Sequence, residues 1–101
     1  MGFTTKEVGG ITKYLVETGI EPTQLHMHIS EVPAGGRSHP PHEHAGVEAF
    51  YMLEGHATIE VEGEEFSLGP NEVILLDATK PHGLRNAGTG LMRYLVIIAG
   101  H

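Results

Sequence analysis

The chain contains no cysteine and no tryptophan. Without thiols it forms no disulfide and no thiolate metal site, and it has no cysteine nucleophile. Positive charge is also scarce: Lys and Arg total 6 against 13 Asp and Glu, a formal net charge of -7. That sign opposes a phosphate backbone, which is held by cations that displace counterions, so nucleic acid is not an expected partner. Long apolar runs are missing too. Leu95 to Ala99 falls far short of the roughly 20 residues a membrane span needs. Residues Met1 to Gly10 lack a signal-peptide core, and Lys6 stands where a myristoylation signal wants Ser or Thr. No membrane partner is expected, and a cytoplasmic protein is the default.

What remains is a chain of 101 residues and 10.9 kDa, expected to fold as one domain over residues 1–101. Area scaling gives roughly 5,600 Å² of folded surface against roughly 16,000 Å² unfolded, enough for a modest core. Turn signals recur at short intervals: Pro33-Ala34-Gly35-Gly36, Glu54-Gly55, Glu62-Gly63, Gly69-Pro70-Asn71, Thr79-Lys80-Pro81 and Asn86-Ala87-Gly88. The segments between them have strand length. Thr58 to Val61 alternates polar and apolar, and the Glu62-Gly63 turn leads to a second strand around Phe66 and Leu68, which reads as a hairpin. Val73 to Leu76 and Leu95 to Ala99 are continuously apolar and read as strands buried on both faces, one of which then meets a second subunit. Only Lys6 to Tyr14 offers a helical turn, weakened by Gly9-Gly10. An all-β sandwich or barrel follows.

Eight histidines outnumber Phe and Tyr together. In an extended chain His42 and His44 point the same way with Cα atoms roughly 6.6 Å apart. Glu48 lies at an even offset and joins them if the backbone stays extended or returns through a tight turn at Gly46. A helix would also pair His44 with Glu48, but Pro40-Pro41 and Gly46 argue against one. A site of two imidazoles and a carboxylate needs closing by another group, and His82, which opens a later strand, is a candidate. Such ligands suit Fe(II), Mn, Zn, Ni or Cu rather than Ca or Mg.

These residues resemble the cupin superfamily, specifically small single-domain cupins with an RmlC-like jelly roll, of the Cupin_2 type. Its first motif is Gly, five residues, His-x-His, three or four residues, Glu, six residues, Gly; Gly36, His42, His44, Glu48 and Gly55 fill it. Its second runs Gly, five residues, Pro-x-Gly, two residues, His, three residues, Asn. His82 and Asn86 match, whereas Asn71, Asp77 and Thr79 stand where Gly, Pro and Gly are usual. The departures fall on turn positions. The resemblance covers Gly36 to Asn86 and implies a double-stranded β-helix, a jelly-roll β-barrel, in which His42, His44, Glu48 and His82 hold one divalent transition metal.

Strand parity describes the surroundings. With Glu48 inward, Phe50 and Met52 face inward too, and with His82 inward so do Leu84 and Asn86, giving a largely apolar pocket lining. Asn86 has the alternative of bracing a turn. His26 and His28 share one face of their strand; if that face is the lumen, they are the catalytic candidates, because imidazole exchanges protons near neutral pH. His39 is expected at the rim, His56 and His101 in solvent, and Arg37, Arg85 and Arg93 as surface charge. The resemblance implies a small-molecule ligand and, commonly, a homodimer. It leaves the reaction open: dioxygenase-type oxidative cleavage, an oxidoreductase activity, is placed slightly ahead of isomerase, lyase or decarboxylase chemistry, with a non-enzymatic sensor or sugar-like binding module as the other class.

Overall fold

A buried side chain at every second position of two eight-residue segments, apolar except at Glu48, decides where the core lies. Along Val47–Glu54 the side chains of Glu48, Phe50 and Met52 are buried and those of Ala49, Tyr51 and Leu53 are only partly covered; along Met92–Ala99, Met92, Tyr94, Val96 and Ile98 are buried. The computed structural model describes residues 3–8, 10–16 and 19–100, and the side chains of residues 3 and 38–40 lie outside that description. The expectations for His39 and His101 therefore lie outside the described side chains and residues.

Every element among the described residues is a strand: β1 (Phe3–Val8), β2 (Ile11–Val16), β3 (Leu25–Val32), β4 (Arg37–His42), β5 (Val47–Glu54), β6 (Ala57–Val61), β7 (Glu64–Leu68), β8 (Val73–Asp77), β9 (His82–Asn86) and β10 (Met92–Ala99). They form two antiparallel sheets, one of order β1-β2-β3-β10-β5-β8 and one of order β4-β9-β6-β7. The inner faces enclose Val32, Phe50, Met52, Ile59, Leu84, Met92, Tyr94 and Val96. Burying a side chain of this size stabilises the fold by roughly 1.5–3 kcal/mol. No helix among the described residues is long and apolar enough to cross a membrane.

The hairpin read around Glu62-Gly63 is present, with Val61 paired to Glu64. Glu62 and Gly63 both have positive φ, 51° and 83°, which suits the twist of a two-residue hairpin loop. Two expectations are overturned. The segment Lys6 to Tyr14 is not helical but forms β1 and β2, because pairing with β3 gives its alternating residues an inner face that a lone helical turn lacks. Strand β8 is not buried on both faces: it is an edge strand, and among the described residues nothing covers its outer side, where Val73 is 52% and Leu75 77% exposed. On β10 the outer residues Leu95, Ile97 and Ala99 are likewise only partly covered.

The unusual second-motif positions have a local explanation. Asn71 adopts φ 63°, a left-handed conformation that Asn tolerates better than most residues other than Gly. Asp77, in place of Pro, closes its turn by accepting hydrogen bonds from the Thr79 backbone N–H at 2.9 Å and from its hydroxyl at 2.6 Å.

Candidate metal centre

Three histidines from two stretches of chain meet where β4 leaves its sheet. His42 ends β4 and pairs with His82, the first residue of β9. His44 follows outside any strand, so the two histidines of the His-x-His do not share a continuous strand. Its position comes instead from a backbone bond donated by His44 N to the Ala78 carbonyl, 2.8 Å, and from the turn at Gly46 that leads into Glu48 on β5. Gly46 has φ +97°, and a Cβ there would overlap the Ala99 carbonyl oxygen, so this reversal requires glycine.

The outcome is a compact donor set. His42, His44 and His82 each place a ring nitrogen so that all lie within 4.8 Å of one another. Ring centroids are 5.1 Å apart for His42 and His44, 4.8 Å for His42 and His82 and 5.0 Å for His44 and His82, with planes inclined at 88°, 72° and 77°. Mutually upright rings approach the shared space from three directions. Glu48, 5% exposed, sets its Oε1 2.9 Å from His82 Nε2 and 3.1 Å from His44 Nε2.

Two backbone carbonyls select the tautomers. His82 Nδ1 lies 2.8 Å from Lys80 O, and His44 Nδ1 lies 2.9 Å from Ala45 O. A carbonyl only accepts, so both Nδ1 atoms carry the proton and, in the neutral rings, both Nε2 atoms present lone pairs. Lone pairs facing an ionised carboxylate repel unless a cation, proton or metal, lies between them. This donor set therefore fits a metal, and carbonyl-oriented imidazoles are the usual way ligand rings are held. Nitrogen ligands of this kind suit a transition metal rather than Ca or Mg.

The cluster opens into a cavity of about 170 Å³ lined by Lys13, His28, Ser30, His42, His44, Glu48, Phe50, Tyr94, Val96 and Ile98. The face of β3 that carries His26 and His28 is thus turned toward the lumen. His28 lines the cavity, while His26 stands behind it with Nε2 2.9 Å from His28 Nδ1. Of the pocket-lining candidates, Phe50 borders the cavity. Met52, Leu84 and Asn86 are buried but do not border it. Asn86 donates to Val32 O at 2.9 Å and Gly90 O at 2.8 Å and accepts from Gly88 N at 2.9 Å, which places it in bracing a turn.

His56 is exposed. Arg37 and Arg85 pair with Glu60 at 2.6 and 3.3 Å, and Arg93 pairs with Glu31 at 3.3 Å. Sequence reasoning missed Lys13, Ser30 and Tyr94. Parity along β3 would have found Ser30, which shares the face of His26 and His28; Lys13 was hidden by the helical reading of β2.

The family described as Cupin_2, cupin domain, matches residues 28–98. A Cupin 2 conserved barrel domain protein from Leptotrichia buccalis is 26% identical with a TM-score of 0.78, over 93% of this chain and 43% of that one. The cupin domain of Schizosaccharomyces pombe Cnp3 superposes with a TM-score of 0.82 at 16% identity, covering 95% of this chain and 67% of that one. KdgF from a Halomonas species gives a TM-score of 0.78 at 19% identity, over 95% and 86% of the two chains. No curated protein matches the sequence. With its antiparallel jelly-roll sheets, its clustered imidazoles and a family match over more than half its length, this chain belongs to the Cupin_2 family.

Proposed function

We propose that this protein is a metal-dependent enzyme acting on a small oxygenated organic molecule, with one divalent transition metal (Fe, Mn, Zn, Ni or Cu) held by His42, His44, His82 and Glu48. The observation that carries the reading is the convergence of three imidazoles beside a buried carboxylate, at a cavity whose lining includes a further imidazole, His28. A bound metal would supply Lewis acidity toward a ligand oxygen or, if redox-active, a path for electrons.

The protein's own residues supply the rest. Phe50, Val96 and Ile98 exclude water from the ligand's apolar side. His28 Nδ1 is engaged with His26, so proton exchange with a ligand falls to His28 Nε2, and the pair can pass the proton onward along the shared hydrogen bond. This favours isomerase, lyase or decarboxylase chemistry. The apolar wall favours a second reading, dioxygenase-type oxidative cleavage, which benefits from a dry site. A cavity of about 170 Å³ suits a small ligand.

The test is metal analysis of protein prepared without chelator or nickel resin, followed by turnover with diketones, phenolics, keto acids and uronates in air and under argon. Dioxygen uptake marks cleavage, and exchange of substrate hydrogen with deuterated solvent under argon marks proton transfer. Both are expected to vanish in His42→Ala and His82→Ala. Thermal shifts by ligands without any product would replace the enzyme reading with a binding module, and absence of metal binding would remove the reading altogether.

A homodimer is part of the same proposal. Beside β5, β8 and β10 lies a largely apolar hollow of about 580 Å³ lined by Val47, Ala49, Leu75, Leu76, Ile97 and Ala99, with Glu48 and Asp77. It runs to the open edge at β8, where Val73 and Leu75 project, and a second copy would cover this face with the same residues.

A further inference from the structure

We infer that Lys13 and Ser30 form an anion subsite in the metal-centre cavity, so that the ligand is a small carboxylate whose charged end is held away from the metal. The assignment rests on the site proposed above and names its substrate class. Lys13 and Ser30 face each other as register partners on β2 and β3, and both line the cavity that His42, His44 and Glu48 also line. Register partners in an antiparallel pair hold their Cβ atoms about 4.5–5.5 Å apart, close enough for an ammonium and a hydroxyl to grip one carboxylate.

Two observations show that this pair lacks an internal role. Ser30 is 0% exposed, yet its hydroxyl has no hydrogen-bond partner among the described residues, although buried hydroxyls are ordinarily satisfied. Lys13 takes part in no ion pair among the described residues, in a chain with 13 acidic side chains. Its neighbour across β1 is Lys6, a charge of the same sign. Lys13 follows Ile11 on the inner face of β2, and Ile11 is buried, so strand parity aims the lysine into the barrel rather than toward solvent. A half-buried ammonium and an unsatisfied hydroxyl together supply what a carboxylate needs, a charge and a donor, while the rest of the ligand meets Tyr94, Phe50 and the metal-binding cluster.

Calorimetric titration of the protein, metal-free and metal-loaded, with pyruvate and with butane-2,3-dione tests this. The two probes have equal numbers of non-hydrogen atoms and both carry adjacent carbonyl groups, but only pyruvate bears a charge. Pyruvate is expected to bind about tenfold or more tightly than the dione, consistent with a charge-assisted hydrogen bond. Lys13→Met is expected to erase that preference, Lys13→Arg to retain most of it, and Ser30→Ala to weaken pyruvate about tenfold while leaving the dione unchanged. Thermal unfolding of each variant confirms that it is folded. Equal affinity for the two probes, a preference that survives Lys13→Met, or no binding of pyruvate overturns the inference. Metal content measured on the same samples separates the two proposals, because the carboxylate preference of metal-free protein does not depend on a metal being taken up.

Discussion

The Asp77 carboxylate accepts two hydrogen bonds from Thr79, one from its backbone N–H and one from its hydroxyl, and the turn so formed supports the histidine cluster. Between them Ala78 donates to Gly46 O at 3.0 Å and accepts from His44 N at 2.8 Å, and one residue further on the Lys80 carbonyl orients His82. Thus the segment from Asp77 to Lys80 positions two of the clustered imidazoles. Asp77→Ala is expected to weaken metal affinity about tenfold, the lower end of what disturbing such supports costs. Direct metal titration of the variant checks this.

The same bonds hold the Asp77 carboxyl below its ordinary range, the Thr79 hydroxyl first and its backbone N–H second. A depressed folded-state value means that the contribution is complete above the unfolded value of about 3.9 and is lost as pH falls through the folded one. Asp77→Asn lacks this contribution at every pH, so it should be less stable than the unaltered chain near neutral pH, and the difference should vanish as pH falls through the folded value, as read by unfolding followed by circular dichroism.

If the proposed metal is bound, removing it is expected to lower the unfolding temperature. A metal present at about 100 times its dissociation constant adds about 2.7 kcal/mol. At about 4–8 °C per kcal/mol for a domain of this size, chelation costs about 10–20 °C, readable by scanning calorimetry.

His42 and His82 are predicted to behave differently as alanine variants. His42 is exposed and His82 is 0% exposed. Both variants lose metal binding, but only His82→Ala also leaves a void in the core, destabilising the metal-free protein by about 2 kcal/mol or more. Denaturant unfolding in chelator separates the two effects.

Gly46→Ala forces a Cβ against the Ala99 carbonyl oxygen at φ +97°. Strain of this kind costs about 1–3 kcal/mol, and because Gly46 lies between His44 and Glu48 the variant should lose metal affinity as well as stability. Unfolding and metal titration of the same sample read both.

Leu75→Glu places a charge on the outer face of β8. If two copies meet there, light scattering will show a monomer where the unaltered chain is a dimer, with the metal content unchanged.

The histidine cluster and its carboxylate were legible because the first motif is local. His42, His44 and Glu48 lie within seven residues, so turn chemistry and strand parity nearly suffice to bring them together, and the cupin resemblance added His82. The strand character of β6, β7, β8 and β10 was equally plain from alternation or β-branched runs. What eluded the sequence depended on neighbours far along the chain. Residues Lys6 to Tyr14 carry no strong pattern of their own and become strands because β3 offers them a partner, which is also why Lys13 was not recognised as a cavity residue.

By itself, then, the amino-acid sequence determined the chemistry available: no thiol, an excess of acid, and imidazoles with a carboxylate at ligand spacing beside a glycine that allows the reversal. Tertiary structure alone decided which of those groups share a space. The approach of His82 to His42 and Glu48, the pairing of Lys13 with Ser30 and the exposed outer side of β8 all arise from strands brought side by side, and hydrogen-bond registers between distant segments are not encoded at any single position.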